Sequence, residues 1–127
     1  MAKFRFLPQA RSLALTLTLL APLAQAAELS QGGSVFDEEC SDCHSVKEGK
    51  NKKGPSLFGM VGRPAGSIGD FNYSEAMKGS GITWTRDKLD QYLQAPRKLV
   101  PGGKMKFDGL ANAKARADLI AFLESLH

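Results

Sequence analysis

The clearest hydrophobic rhythm lies near the C-terminus. From Asn112 to Ser125, Leu119, Ile120, Leu123 and Leu126 recur at i, i+1, i+4 and i+7, the stripe of an amphipathic helix. A second helix is predicted from Thr85, with Asp87 in its first turn, to Ala95, where Pro96 stops it; a short turn follows at Arg97 to Val100. Near the front, Leu29 to Asp42 reads as a helix capped by Ser30, with Gly32, Phe36 and Cys40 on one face at four-residue spacing. Between these helices, Lys47 to Gly81 is glycine-rich, carries Pro55 and Pro64, and predicts one helical turn at Ser74 to Lys78. No stretch keeps a strand's period-2 alternation, so the expected class is all-α with long loops. Three modest helices and so long a loop do not close a core by themselves. Loops of that length usually wrap something functional, and a large apolar prosthetic group would complete the packing.

The first residues change the picture of charge and compartment. Lys3, Arg5 and Arg11 precede the apolar run Ser12 to Ala24, and small residues stand at Ala24 and Ala26. That is the order of a secretory signal peptide, so residues 1–26 are read as a leader cleaved after Ala26 and 27–127 as one mature domain. The run is short of a bilayer span, which makes an uncleaved anchor the secondary reading. The whole chain carries 17 Lys+Arg against 13 Asp+Glu; without the three leader positives the balance is +1. A mature charge near zero argues against a general nucleic-acid binder. Export predicts a periplasmic location, where disulfides persist.

Both cysteines and one of the two histidines fall in "ECSDCHSV", Glu39 to Val46. Cys-x-x-Cys followed at once by His is the spacing of covalent c-type haem attachment. On a helical turn Cys40 and Cys43 share a face, so both sulfurs reach the vinyl groups of one porphyrin edge, and His44 reaches the iron from below. A thioredoxin-like pair would want a βαβ pattern, which is not visible. A zinc site needs four ligands, and only His127 remains outside this cluster. A structural disulfide at this spacing closes a small, strained loop of little value.

The second axial ligand must come from the other side of the ring. His127 is terminal and Met60 follows His44 too soon, while Met77 in its helical turn reads as apolar wall. Met105 sits in "VPGGKMKF", where Gly102 and Gly103 let the backbone approach a flat group closely. His44 and Met105 are therefore the expected iron ligands.

With these motifs in place the chain resembles a class I c-type cytochrome, the branch of mitochondrial cytochrome c and its periplasmic bacterial relatives. The resemblance runs from about Gly32 to Leu126 and implies crossed N- and C-terminal helices with long loops around one covalent haem c. By the match of "KGPSLFGMVGR", Pro55 would accept the hydrogen bond of the ligand imidazole and Arg63 would lie near a haem propionate. "GDFNYSEAM" and "GITW" imply Tyr73 and Trp84 as further propionate partners, and "YLQAPRKLVPGGKMKF" implies Tyr92 near the sulfur of Met105. Phe107 would cover the ring edge, and Gly32 and Phe36 would meet Leu119 and Phe122 at the helix crossing. Three positions depart from the family pattern: Gly103 stands for a frequent threonine, Met77 for an asparagine and Glu39 for a lysine.

The function implied is one-electron transfer between periplasmic or membrane redox complexes, by a monomer. Two filled axial positions leave no open site, so neither an enzyme nor a small-molecule substrate is expected. Burial and a soft thioether both favour the reduced iron, which predicts a relatively oxidising carrier. Lys53, Arg97, Lys98, Lys104 and Lys106 would gather at the haem edge and steer partners with acidic docking faces. The alternative is a dedicated or membrane-anchored haem subunit of a single redox enzyme.

Overall fold

The computed structural model describes residues 21–127, together with Met1. The basic residues of the proposed leader and its apolar run up to residue 20 lie outside the described residues. Five helices follow in order: α1 Ala21–Glu39, α2 Glu75–Lys78, α3 Arg86–Gln94, α4 Pro96–Leu99 and α5 Ala113–Glu124. Among the described residues there is no strand, only an isolated antiparallel bridge between Pro64 and Thr83.

Three of these helices start where a side-chain oxygen can take an orphan backbone N–H. Ser74 accepts from the Met77 amide, Thr85 from that of Lys88 and Asn112 from that of Ala115. The expected starts at Thr85 and Asn112 are thus capping residues, one position ahead of the helices proper. Proline at the first position of α4 suits it, since no intrahelical bond needs its missing N–H there.

The front helix differs from expectation. It is already helical at Ala21, the first described residue of this stretch, well before Leu29, and Ser30 is not its cap but an interior residue whose carbonyl accepts the Ser34 hydroxyl. The reason is local: "APLAQAAEL" is rich in alanine and leucine, strong helix formers that carry the helix back past the serine. At the other end the helix stops at Glu39 instead of Asp42. There the amides of Cys40 and Ser41 both donate to Phe36 O, at 2.9 Å each, and the chain turns off the axis.

The terminal helices cross at Gly32. A Cβ built there would lie 2.1 Å from Asp118 O and 2.6 Å from Phe122 Cβ, so only glycine permits the approach. Phe36 and Phe122 continue the contact with ring centroids 5.8 Å apart. Around the crossing, Phe36, Leu89, Leu93, Leu119, Ile120 and Leu123 form the helical part of the core. Met60, Trp84, Tyr92 and Val100 extend it toward the loops.

The long loop is held both by short turns of its own and by bonds to distant parts of the chain. Gly59 N–H donates to Leu126 O at 2.8 Å, and Leu57 N–H to Ser45 O at 2.8 Å. Flanking the bridge, Gly62 and Trp84 exchange the loop's path through Gly62 N–H to Trp84 O, 2.8 Å, and Trp84 N–H to Arg63 O, 3.0 Å. These bonds fix one wall of the site, and α3, α4 and the 101–110 segment form another.

Candidate functional site

After α1 the chain makes one tight turn. Cys43 N–H and His44 N–H both donate to Cys40 O, at 3.1 and 2.9 Å, which stacks the two cysteines and the histidine on successive corners of that turn. Both thiols are free, Cys40 half-buried and Cys43 exposed. Burial, with help from the Glu39 carboxylate and Cys43, pushes the Cys40 thiol up to about 11, so it is protonated at neutral pH.

His44 is held from two sides. Its Nδ1 lies 2.8 Å from Pro55 O. A carbonyl only accepts, so Nδ1 carries the proton and Nε2 presents its lone pair. Burial lowers the pKa of the imidazole, the Pro55 carbonyl opposes that, and the Lys52 charge adds to the lowering. The ring is therefore neutral at pH 7, the form that ligates a metal. Gly54 lies against its face: a Cβ there would sit 2.4 Å from Cε1, 2.7 Å from Nδ1 and 2.9 Å from Nε2. Gly54 is fixed in turn by its N–H bond to Cys43 O, 2.7 Å.

Across the site, Met105 lies half-buried in the 101–110 segment, with its sulfur 3.9 Å from the Tyr92 hydroxyl. Tyr92 is a buried residue of α3, and burial raises its phenol to about 12. Its ring packs on Trp84 with centroids 4.9 Å apart. Tyr92, Pro96, Arg97, Val100, Gly103 and Met105 line a recess beside the sulfur.

The expected residues thus fall into linked groups. His44 is joined to Pro55; Met105 touches Tyr92, and Tyr92 touches Trp84; Trp84 is backbone-paired with Arg63. The Arg63 guanidinium is half-buried and donates to Phe58 O at 3.1 Å and Ser56 O at 3.3 Å, with no carboxylate partner among the described residues. It lines a hollow of about 320 Å³ together with Asn51, Ser56, Phe58 and Ile68. Tyr73 packs edge-on against Phe71, centroids 4.8 Å apart, and Phe107 is half-buried; neither contacts another site residue through a hydrogen bond.

Two contributors escape the sequence reading. Gly54 is one of many glycines in a loop, and only its place immediately before Pro55 hints at a role. Arg116 reads as a surface charge but is buried, with Nη1 on Leu110 O and Ala111 O and Nε on Asp90. Its spacing was the available signal, because 116, 119, 120 and 123 follow the apolar stripe of α5.

The donor set suits haem c. Two thiols on one turn, a neutral imidazole with a free Nε2 and a thioether seated beside Tyr92 supply the attachment and ligand chemistry of that group. The glycine flush against the imidazole leaves no side chain to displace the ring from its place.

Known proteins agree with this arrangement. The Cytochrome c family model matches residues 29–127. Cytochrome c2 of Rhodopila globiformis is 48% identical over 96 residues, covering 76% of this chain and 91% of that protein. Cytochrome c of Gibberella zeae is 46% identical over 98 residues, covering 76% and 92% respectively. Among solved structures, cytochrome cH from Methylobacterium extorquens superposes with a TM-score of 0.72 at 40% identity, covering 76% of this chain and 97% of that one. With crossed terminal helices, an all-helical fold and Cys40 and Cys43 fitting the haem-attachment motif, the chain belongs to the cytochrome c family, class I electron carriers with covalently bound haem c.

Proposed function

We propose that the protein carries one electron at a time between larger redox complexes, with its haem iron held by His44 and Met105. The observations that carry this reading are two donors, each held in place by its own partner. The His44 imidazole is aimed by Pro55 O at 2.8 Å, and the Met105 thioether is seated 3.9 Å from the Tyr92 hydroxyl. When bound, the haem supplies the reversible one-electron couple; the chain supplies its setting. Pro55 holds the imidazole in one tautomer and one orientation, as outer partners of ligating histidines do. Tyr92 and Trp84 pack a dry wall behind the sulfur, which favours the less charged, reduced state. Arg63, charged and without a carboxylate partner, suits a haem propionate, and Tyr73 and Trp84 supply further donors there. Phe107 covers the ring edge.

Two filled axial positions leave substrate no place to bind, so the role is carriage rather than catalysis. Lys53, Lys98, Lys104 and Lys106 are exposed and form no ion pair among the described residues, and they suit acidic docking faces. Arg97 belongs with them, although it reaches Asp108 at 3.3 Å. The proposed location is the periplasm, as a monomer released by cleavage after Ala26.

A second reading, a haem protein tethered to the membrane or to one enzyme, is favoured by the continuity of α1. The helix runs unbroken from Ala21 past Ala26 into the haem domain, with Leu23 73% exposed. Among the described residues no helix is long and apolar enough to cross a membrane.

The test is optical titration of the purified protein against redox mediators. A single reversible one-electron wave, with exchange to an acidic partner protein that slows as salt rises, supports the carrier. Steady turnover of peroxide or oxygen by the native protein would refute it. An N-terminus at Ala27 supports the free shuttle, and retention of the leader in salt-washed membranes supports the tethered form.

A further inference from the structure

The segment that carries Met105 has no helix of its own from 101 to 112, so its place depends on what holds its ends. At the first end, Gly103 N–H donates to Val100 O at 3.1 Å. At the second, Leu110 N–H donates to Leu93 O at 2.8 Å, and Gly109 lies so close to α3 that a Cβ would sit 2.2 Å from Gln94 O. Arg116 completes this second anchor from α5. Its Nη1 donates to Leu110 O at 2.8 Å and to Ala111 O at 2.9 Å, and its Nε to Asp90 Oδ1 at 2.7 Å.

A guanidinium 5% exposed is expensive to keep from water unless its donors are met. Here it meets two carbonyls from the end of the methionine segment and one carboxylate from α3. Among the described residues no other ion pair of α5 does this: Lys114 bonds Asp118 within the helix, and Arg86 bonds Glu124, both away from the segment. Asp90 also stands two positions before Tyr92 on α3, so one strut sets the register of the segment against the helix that bears the phenol touching Met105.

We propose that Arg116 is a positioning residue for Met105: its fork ties the end of the methionine segment to α3 and α5 and so keeps the thioether on the iron. This rests on the reading of Met105 as axial ligand. Leu110 stands five positions after Met105, a tether of at most about 17 Å, so releasing that end widens the excursion open to the sulfur.

Imidazole added to the oxidised holoprotein takes the iron only when Met105 leaves it, so its apparent affinity reads how often the segment lets go. Arg116→Lys keeps a charge for Asp90 but cannot span both carbonyls, and it should bind imidazole about tenfold more tightly than the wild type. Asp90→Asn, which loosens the aim of the fork, should tighten imidazole about threefold. Arg86→Ala cuts an ion pair between α3 and α5 without touching the segment, and should leave imidazole affinity unchanged whatever it does to melting temperature.

Wild-type affinity in both Arg116→Lys and Asp90→Asn overturns the proposal, as does equal tightening in Arg86→Ala. If Arg116→Lys does not fold, Asp90→Asn against Arg86→Ala decides alone. A wild-type protein without the weak sulfur-to-iron absorption band refutes the ligand reading itself, and the proposal with it.

Discussion

Replacing Gly54 with alanine exchanges a hydrogen for a methyl group, and the structure says where the carbon goes. It would sit 2.4 Å from Cε1, 2.7 Å from Nδ1 and 2.9 Å from Nε2 of His44. Ordinary contact begins near 3.4 Å, so the imidazole must retreat by about 1 Å. The backbone cannot yield instead, because Gly54 is bonded on both sides, N–H to Cys43 O at 2.7 Å and O to Lys52 N–H at 2.9 Å. A ring that retreats so far stretches its 2.8 Å bond to Pro55 O beyond the useful range of hydrogen bonds. Overpacking of this kind costs about 1–3 kcal/mol and the lost hydrogen bond about 1 kcal/mol more. For a domain of this size that lowers the melting temperature by roughly 10–25 °C. The reduction potential should rise as well, since an imidazole without its carbonyl partner is a weaker donor to the oxidised iron.

The assay is thermal unfolding of the holoprotein followed by haem absorption, with a redox titration of the same samples. Gly49→Ala is the comparison. Gly49 sits at positive φ, +66°, which Gly54 does not, and has nothing within 4 Å of an added Cβ. It should lose only the backbone penalty of a left-handed residue, about 1–2 kcal/mol. If Gly54→Ala melts no lower than Gly49→Ala and keeps the wild-type potential, the steric argument for the His44 cradle is wrong.

Other outcomes follow from the same geometry. Gly32→Ala forces the terminal helices apart at a backbone oxygen 2.1 Å away and should abolish folding or cost about 3 kcal/mol or more, read by denaturant titration. Tyr92 holds its proton to about pH 12 in the folded protein but only to its ordinary value of 10 when unfolded. The folded state therefore binds the extra proton in that window, and the contribution is complete below pH 10 and lost as pH rises to about 12. It amounts to roughly 2–3 kcal/mol, and Tyr92→Phe should remove this part of the alkaline fall in stability. Lys104 is exposed and adjacent to Met105, and its amine is the expected replacement ligand in alkali; Lys104→Ala should keep the sulfur-to-iron band to higher pH than the wild type.

The sequence made α3, α5 and the haem-attachment turn legible for the same reason: their determinants are local. Caps at Thr85 and Asn112, the stripe through Leu119 and Leu123, and the Cys40–His44 spacing all act within a few residues. For Met105 the sequence offered only the glycines that precede it, and the structure adds its place beside the Tyr92 hydroxyl. The start of α1 was misjudged because alanine-rich sequence forms helix whether or not it belongs to a leader. The path of the long loop was not legible at all, since its bonds, such as Gly59 N–H to Leu126 O, join residues far apart in the chain. Arg116 was hidden by its own chemistry. A charge on a helix reads as solvent-facing unless the carbonyls that satisfy it are known.

The most direct test of the central claim is the absorption spectrum of the oxidised protein beside those of its methionine variants. The account predicts a weak long-wavelength sulfur-to-iron band in the wild type that persists in Met60→Ala and Met77→Ala and vanishes in Met105→Ala. A band that survives Met105→Ala, or that disappears with either of the others, would contradict it.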